Sequence, residues 1–168
     1  MKPALFVQDI QNIWLYEPDS NQDLRKSVEM RLDAINEAIA WFRRNKLPVI
    51  AGYTEDKEQG LVPGAWRFNF PETVRIEDTD PKVTKRHASA FGNPELGKLL
   101  KSLGCDSIVI VGLSASGCVL ATFFGALDFD IRPYVLKGGI ASSKEEHVRF
   151  AEEICDTVSL QALDSTFL

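Results

Sequence analysis

At 168 residues the chain has room for one domain with a sizeable core, whereas two domains would be cramped. Its 45% hydrophobic and 26% charged residues are ordinary for a folded globular protein. The formal net charge is −5, and basic residues cluster only at Arg43-Arg44 and between Lys82 and His87, too little for a surface that tracks phosphates.

The first stretch, "MKPALFVQDIQ", is apolar for five residues before an amide and an acid interrupt it. It fits neither a signal peptide nor a membrane span, and no later segment reaches eighteen apolar residues. A cytoplasmic protein without membrane or nucleic-acid partners is expected. Ala4 to Asp9 reads as a short buried strand closed by an acid. Leu24 to Asn45 gives the clearest helix, because Val28, Leu32, Ile35, Ile39 and Phe42 recur at spacings that share one face. Leu47 to Tyr53 is a second buried strand, with Pro48 tolerable at its start.

Between Thr54 and Asp80 the pattern dissolves into charges, glycines, prolines and aromatics, with at most a short strand at Val74 to Ile76. So long an irregular section more often borders a site than fills space. Asn93-Pro94-Glu95 opens the next helix with a cap, a proline in the first turn and an acid. That helix runs to about Ser102 and gives way through Gly104 to a strand at Ser107 to Val111. A helix from Gly117 to Leu127, a strand from Ile131 to Leu136, a helix from Lys144 to Cys155 and a short strand at Thr157 to Ser159 complete the chain. This alternation predicts an α/β fold, a parallel sheet covered on both faces, as a single domain over residues 1–168.

In open parallel sheets, ligands bind beyond the carboxyl ends of the strands, near the switch in strand order. Asp9 and the segment "GLSASGC" both fall at that edge. Cys118 stands at a predicted helix start, where N–H groups and the dipole favour a thiolate and can hold an oxyanion. Cysteine is equally a common packing residue. Asp9 can orient or deprotonate a nucleophile, or simply cap a turn. Lys85 can stabilise both groups if it points inward, although most lysines are solvated. Gly112, Ser114, Ala115, Ser116 and Gly117 form a small-residue turn that lacks the phosphate-loop pattern, and no dinucleotide fingerprint occurs.

His87 and His147 are the two histidines, and neither has metal-ligand spacing. Cys105 and Cys155 read as structural, and three cysteines without close spacing suit a reducing compartment.

On the motifs "ALFVQDIQN", "KRHASAFGNPEL" and "IVIVGLSASGCVLATFFGALDFDIRPYVL", the chain resembles the isochorismatase-like cysteine hydrolase superfamily, which includes nicotinamidases and N-carbamoylsarcosine amidase. The resemblance covers most of the chain. It implies a three-layer α/β/α architecture around an open, six-stranded, mostly parallel, Rossmann-like sheet. It also implies a catalytic triad of Asp9, Lys85 and Cys118, in which the cysteine attacks an amide or related acyl carbon. A cis peptide is implied at Leu113-Ser114, and an oxyanion hole from the N–H groups of Ser114 and Cys118.

Two departures bear on substrate. Nicotinamidases carry a metal-binding Asp and histidines after the second strand, where this chain has "AGYTEDKEQGLVPGAWRFNF" without histidine. Glu55 or Asp56 could still touch a cation, but no catalytic metal and no cofactor are expected. The second departure is "VLKGGIASS", where Lys137, Gly138 and Gly139 either alter the crevice wall or are a local variant. Trp66, Phe68, Gly112 and Leu113 are the expected pocket residues, with Phe70 beside them. The aromatics have an alternative role packing against the sheet edge or a partner subunit. The resulting expectation is a metal-independent cysteine hydrolase of small amides or carbamoyl compounds, assembled as a dimer or tetramer. Cleavage of a vinyl ether, and a non-catalytic small-molecule-binding relative, are the competing readings.

Overall fold

A computed structural model describes residues 1–168. Six strands form one sheet in the order β3-β2-β1-β4-β5-β6. They are β1 (Pro3–Gln8), β2 (Val49–Thr54), β3 (Lys82–Lys85), β4 (Ser107–Leu113), β5 (Arg132–Ala141) and β6 (Thr157–Val158). All five pairings are parallel. Every residue of β1 and β4 is buried, which is why these two central strands read as near-continuous apolar runs.

Helices cover both faces of the sheet. On one side α2 (Gln22–Glu29), α3 (Leu32–Arg44) and the C-terminal α7 (Leu163–Phe167) follow the short α1 (Asn12–Leu15) and close a core around Leu5, Val7, Ile35 and Phe42. On the other, α4 (Pro94–Ser102), α5 (Leu120–Leu127) and α6 (Glu145–Ile154) enclose Phe6, Leu96, Ile108 and Phe123. The fold is therefore the three-layer α/β/α sandwich, and its sheet is parallel throughout.

The helix expected from Leu24 to Asn45 is two helices, interrupted at Met30 and Arg31. Val28 and Leu32 still face the same core across the break, so the apolar spacing runs on undisturbed. Arg31 marks the interruption. Its guanidinium is buried, donates to Ser27 O and Oγ at 3.0 and 2.9 Å, and pairs with Glu145 at 2.7 Å. The sixth strand is not Val74–Ile76, which lies in turns and packs its apolar side chains against the sheet. It is Lys82–Lys85, an edge strand whose half-exposed, lysine-rich pattern reads as a basic cluster.

β4 and β1 approach so closely that a Cβ on Gly112 would lie 2.0 Å from Gln8 O, and Gly112 has φ +115°. Both conditions require glycine there. β5 carries a bulge: Ile110 pairs with Val135, but Gly112 pairs with Ile140. The extra residues include Lys137 and Gly138, which are exposed and do not line the cleft at the carboxyl edge of the sheet. The Gly138 N–H is held by Glu152 Oε1 at 2.8 Å. The "LKGG" departure is thus a strand bulge and forms no part of the crevice wall.

Candidate active site

Three strands bring polar side chains to one crevice at the carboxyl edge of the sheet. After β1, Asp9 adopts a left-handed backbone with φ 58°, a conformation that aspartate tolerates better than branched residues do. Gly52 O holds its N–H at 2.9 Å, and the residue is 3% exposed. From β3, Lys85 is equally buried, with Nζ 2.9 Å from Asp9 Oδ2. After β4 the chain passes through the cis Leu113–Ser114 peptide into a π-helical turn, Ala115–Val119. Ser114 O accepts N–H bonds from Gly117 and Val119 at 3.0 and 3.1 Å, which closes that turn. Cys118 rides on it with Sγ 3.4 Å from Lys85 Nζ. Neither histidine meets the sulfur. The His87 carbonyl instead accepts from Lys85 at 3.1 Å, and His147 Nδ1 lies 3.1 Å from Ser116 Oγ on the outside of the turn.

Thr54, at the end of β2, completes the polar cluster. Its hydroxyl donates to Asp9 Oδ1 at 2.9 Å and accepts from Lys85 at 3.0 Å. Gln11 clasps the Thr54 backbone, accepting its N–H at 2.9 Å and donating to its carbonyl at 3.0 Å. Apart from the lysine ion pair, Asp9 Oδ2 has no hydrogen-bond donor. That oxygen keeps capacity for an incoming proton.

Burial pushes the Asp9 carboxyl above the ordinary carboxylate range, against the opposing pull of Lys85, Thr54 and Cys118. Burial also pushes the Cys118 thiol up, Asp9 adds to the rise, and Lys85 opposes it. Desolvation and the neighbouring carboxylate thus work against the resting thiolate that Lys85 favours. A neutral thiol beside a carboxylate of raised basicity suits proton transfer at the moment of attack rather than a preformed anion.

A cleft of about 450 Å³ opens over these groups, walled by Trp14, Leu24 and Leu113 and rimmed by Arg86 and His87. Of the expected pocket residues Leu113 lines it, together with Ser114, while Gly112 lies behind in β4. Trp66 and Phe68 do not line it. Trp66 is 58% exposed, and Phe68 stacks on Tyr53 at 4.9 Å with Phe70 on the same ring at 4.4 Å, packing at the sheet edge. The aromatic wall is Trp14 instead.

The sequence reading missed Thr54, Gln11, Trp14 and Leu24. Thr54 and Gln11 carried a usable signal, since one ends a strand at the same edge as Asp9 and the other lies two residues beyond it. Trp14 and Leu24 carried none, because their placement depends on how α1 and α2 fold over the sheet. Glu55 and Asp56 have other partners: Glu55 pairs with Arg86 at 3.0 Å, and Asp56 accepts from Glu58 and Gln59. No group of three or more His, Cys, Asp or Glu side chains gathers so as to hold a metal ion.

Comparison with known proteins adds four findings. Residues 3–157 match the model of the isochorismatase domain. The chain is 34% identical over 77 residues to a maleamate amidohydrolase of Pseudomonas putida, a match covering 46% of this chain and 36% of that protein. It is 26% identical over 175 residues to a probable isochorismatase of Pseudomonas chlororaphis, covering 94% and 82% respectively. Among solved structures, an isochorismatase-like hydrolase from Alkaliphilus metalliredigens superimposes with a TM-score of 0.86 at 21% identity, over 99% of this chain and 93% of that one. The last is a likeness of fold.

Proposed function

The chain belongs to the isochorismatase domain family, and from that premise we propose that it is a metal-independent cysteine hydrolase of small amides or carbamoyl compounds. In this reading residues 1–168 form one hydrolase domain and Asp9, Lys85 and Cys118 are its catalytic residues. The observation that carries it is the position of Lys85 Nζ, 2.9 Å from Asp9 Oδ2 and 3.4 Å from Cys118 Sγ, on the floor of one cleft.

The sulfur attacks the carbonyl carbon while its proton passes to Asp9, and Lys85 offsets the charge carried by both. Backbone N–H groups of Ser114 and Cys118 receive the tetrahedral oxyanion. Collapse expels the amine with the proton from Asp9 and leaves a thioester on Cys118. Water then adds to the thioester as Asp9 takes its proton, and a second collapse releases the acid and restores the thiol. The apolar walls at Trp14 and Leu24 suit a small, partly planar acyl group.

The test is ammonia release from a panel of primary amides and N-carbamoyl compounds. Cys118→Ala, Asp9→Asn and Lys85→Met are each expected to lose about 10³-fold or more in kcat/KM. Turnover that survives Cys118→Ala would overturn the nucleophilic step. The match to a probable isochorismatase over 94% of the chain favours one second reading, vinyl ether hydrolysis by Asp9 and Lys85 without the sulfur. Enol ether substrates cleaved equally by wild type and Cys118→Ala would establish it. No turnover in either panel would leave a small-molecule-binding protein.

A homo-oligomer belongs to the same reading. Phe124, Leu127, Phe150 and Ile154 leave α5 and α6 with exposed apolar side chains, 43% to 54% accessible. Phe150→Glu is expected to lower the sedimenting mass, and an unchanged mass would remove α6 from any interface. No helix is long and apolar enough to cross a membrane, and three free cysteines accord with a reducing, cytoplasmic setting.

A further inference from the structure

Gln8 is the polar residue of β1, and it is 0% exposed. A buried primary amide is costly unless its donors and acceptor are met, so its partners are informative. Its cross-strand neighbours are both glycines, Gly52 in β2 and Gly112 in β4, and neither has a side chain to compete for space. Gln8 Oε1 accepts from Thr122 Oγ1 at 2.8 Å, and Gln8 Nε2 faces Leu113 O at 3.5 Å. Thr122, fully buried in α5, in turn accepts the Ala90 N–H at 3.0 Å. The contact to Leu113 is at the long end of hydrogen bonding, whereas the two through Thr122 are well formed.

This short chain of bonds touches the segments that carry Asp9, Lys85 and Cys118 and the Leu113–Ser114 turn between them. Gln8 precedes Asp9, Leu113 precedes Ser114, Thr122 lies one helical turn beyond Cys118, and Ala90 belongs to the loop that follows Lys85 and His87. Packing alone does not require such a connection, because an apolar side chain would fill the same space without burying an amide and a hydroxyl.

We propose that Gln8 and Thr122 are a positioning pair that fixes the Leu113–Ser114 turn and the Ser89–Phe91 loop relative to the nucleophile, so that the Ser114 N–H meets the developing oxyanion. The inference rests on the cysteine hydrolase reading above. Neither residue touches the reacting atoms; each acts through the backbone it holds. The distinguishing consequence is chemical. Alkylation of a thiol is a displacement at carbon that develops no oxyanion, whereas acyl transfer to the same sulfur does. Loss of the pair should impair acylation and spare alkylation.

The experiment compares two reactions of Cys118 in the full-length protein: acetylation by p-nitrophenyl acetate, read as a nitrophenol burst, and alkylation by iodoacetamide, read by peptide mass. In Gln8→Met and Thr122→Val, acetylation is expected to fall about 10-fold or more, short of the roughly 10²- to 10³-fold lost when an oxyanion donor itself is removed. Alkylation and its pH profile should stay within about 2-fold, because Asp9 and Lys85 are untouched. Thr122→Ser should restore acetylation, since it returns the hydroxyl.

Thermal unfolding checks that each variant is folded. Thr122→Val, which keeps the side-chain shape, carries the test if Gln8→Met does not fold. Equal loss of both reactions, no loss of either, or failure of Thr122→Ser to rescue overturns the positioning role. A wild-type protein that is alkylated but never acylated at Cys118 overturns the hydrolase reading, and this inference with it.

Discussion

Cys118 lies between opposite charges, with burial tipping the balance. Its thiol is raised first by desolvation and next by Asp9, and Lys85 only partly restores it. Alkylation is therefore expected to have its pH midpoint above that of a free thiol, about 8.5. Asp9→Asn removes a negative neighbour and moves the midpoint down, while Lys85→Met removes the cation and moves it up. Stopped alkylation with peptide mass readout checks both, and a wild-type midpoint below the free value would contradict this account. At this scale the sequence motifs did point to Asp9, Lys85 and Cys118, which do meet in one crevice. Thr54 and Gln11 stand at legible positions, one ending a strand and the other lying two residues past Asp9, but their pairing with each other depends on the register of β2 beside β1. Phe68 takes the second of its two expected roles, packing at the sheet edge with its ring stacked on Tyr53.

Strand and helix boundaries were legible where burial was uniform and illegible where it was mixed. β1, β2 and β4 are buried almost throughout and stand close to where their apolar runs suggest. β3 alternates exposed and buried residues over only four positions, too few for a period to emerge beside two lysines. The interruption between α2 and α3 was hidden because a break at Met30 and Arg31 keeps Val28 and Leu32 on one face. The tightest requirement at this scale belongs to β4. Gly112→Ala would set a Cβ 2.0 Å from Gln8 O at a φ of +115°, two mechanisms of severe destabilisation acting together. A loss of about 4 kcal/mol or more in urea unfolding, or no soluble protein, is expected. An alanine variant that unfolds like wild type would show that β1 and β4 can move apart at this point.

Across the whole molecule, several buried groups resist losing their protons. Burial, reinforced by Asp156, pushes the Cys155 thiol up to about 11, and burial likewise raises Cys105. Tyr53, beneath Phe68 and Phe70, is pushed up to about 12 by burial and by Asp80 and Asp78. Thiols in the unfolded chain ionise near about 8.5. Between that pH and about 11 the unfolded state binds fewer protons than the native one at Cys155, so its contribution to stability is complete below the window and is lost as pH rises through it. Unfolding free energies measured from pH 8 to 11 should fall for wild type and fall less steeply for Cys155→Ala. Parallel curves would mean that Cys155 titrates alike in both states. The layered architecture itself was legible in the alternation of strands and helices, since each apolar run must be covered on both sides. Strand order was not, because it is set by which edges close together.

The two parts of the cleft have different scaffolds. Its floor hangs from laddered strands, whose positions are interdependent, while Trp14 and Leu24 come from α1 and α2, which have no place in the sheet's hydrogen bonding. Drift in residues 12–24 can reshape what is admitted without disturbing the groups beneath. Reaction and selectivity are thus free to diversify at different rates in descendants of this chain, and libraries for new substrates belong in α1 and α2.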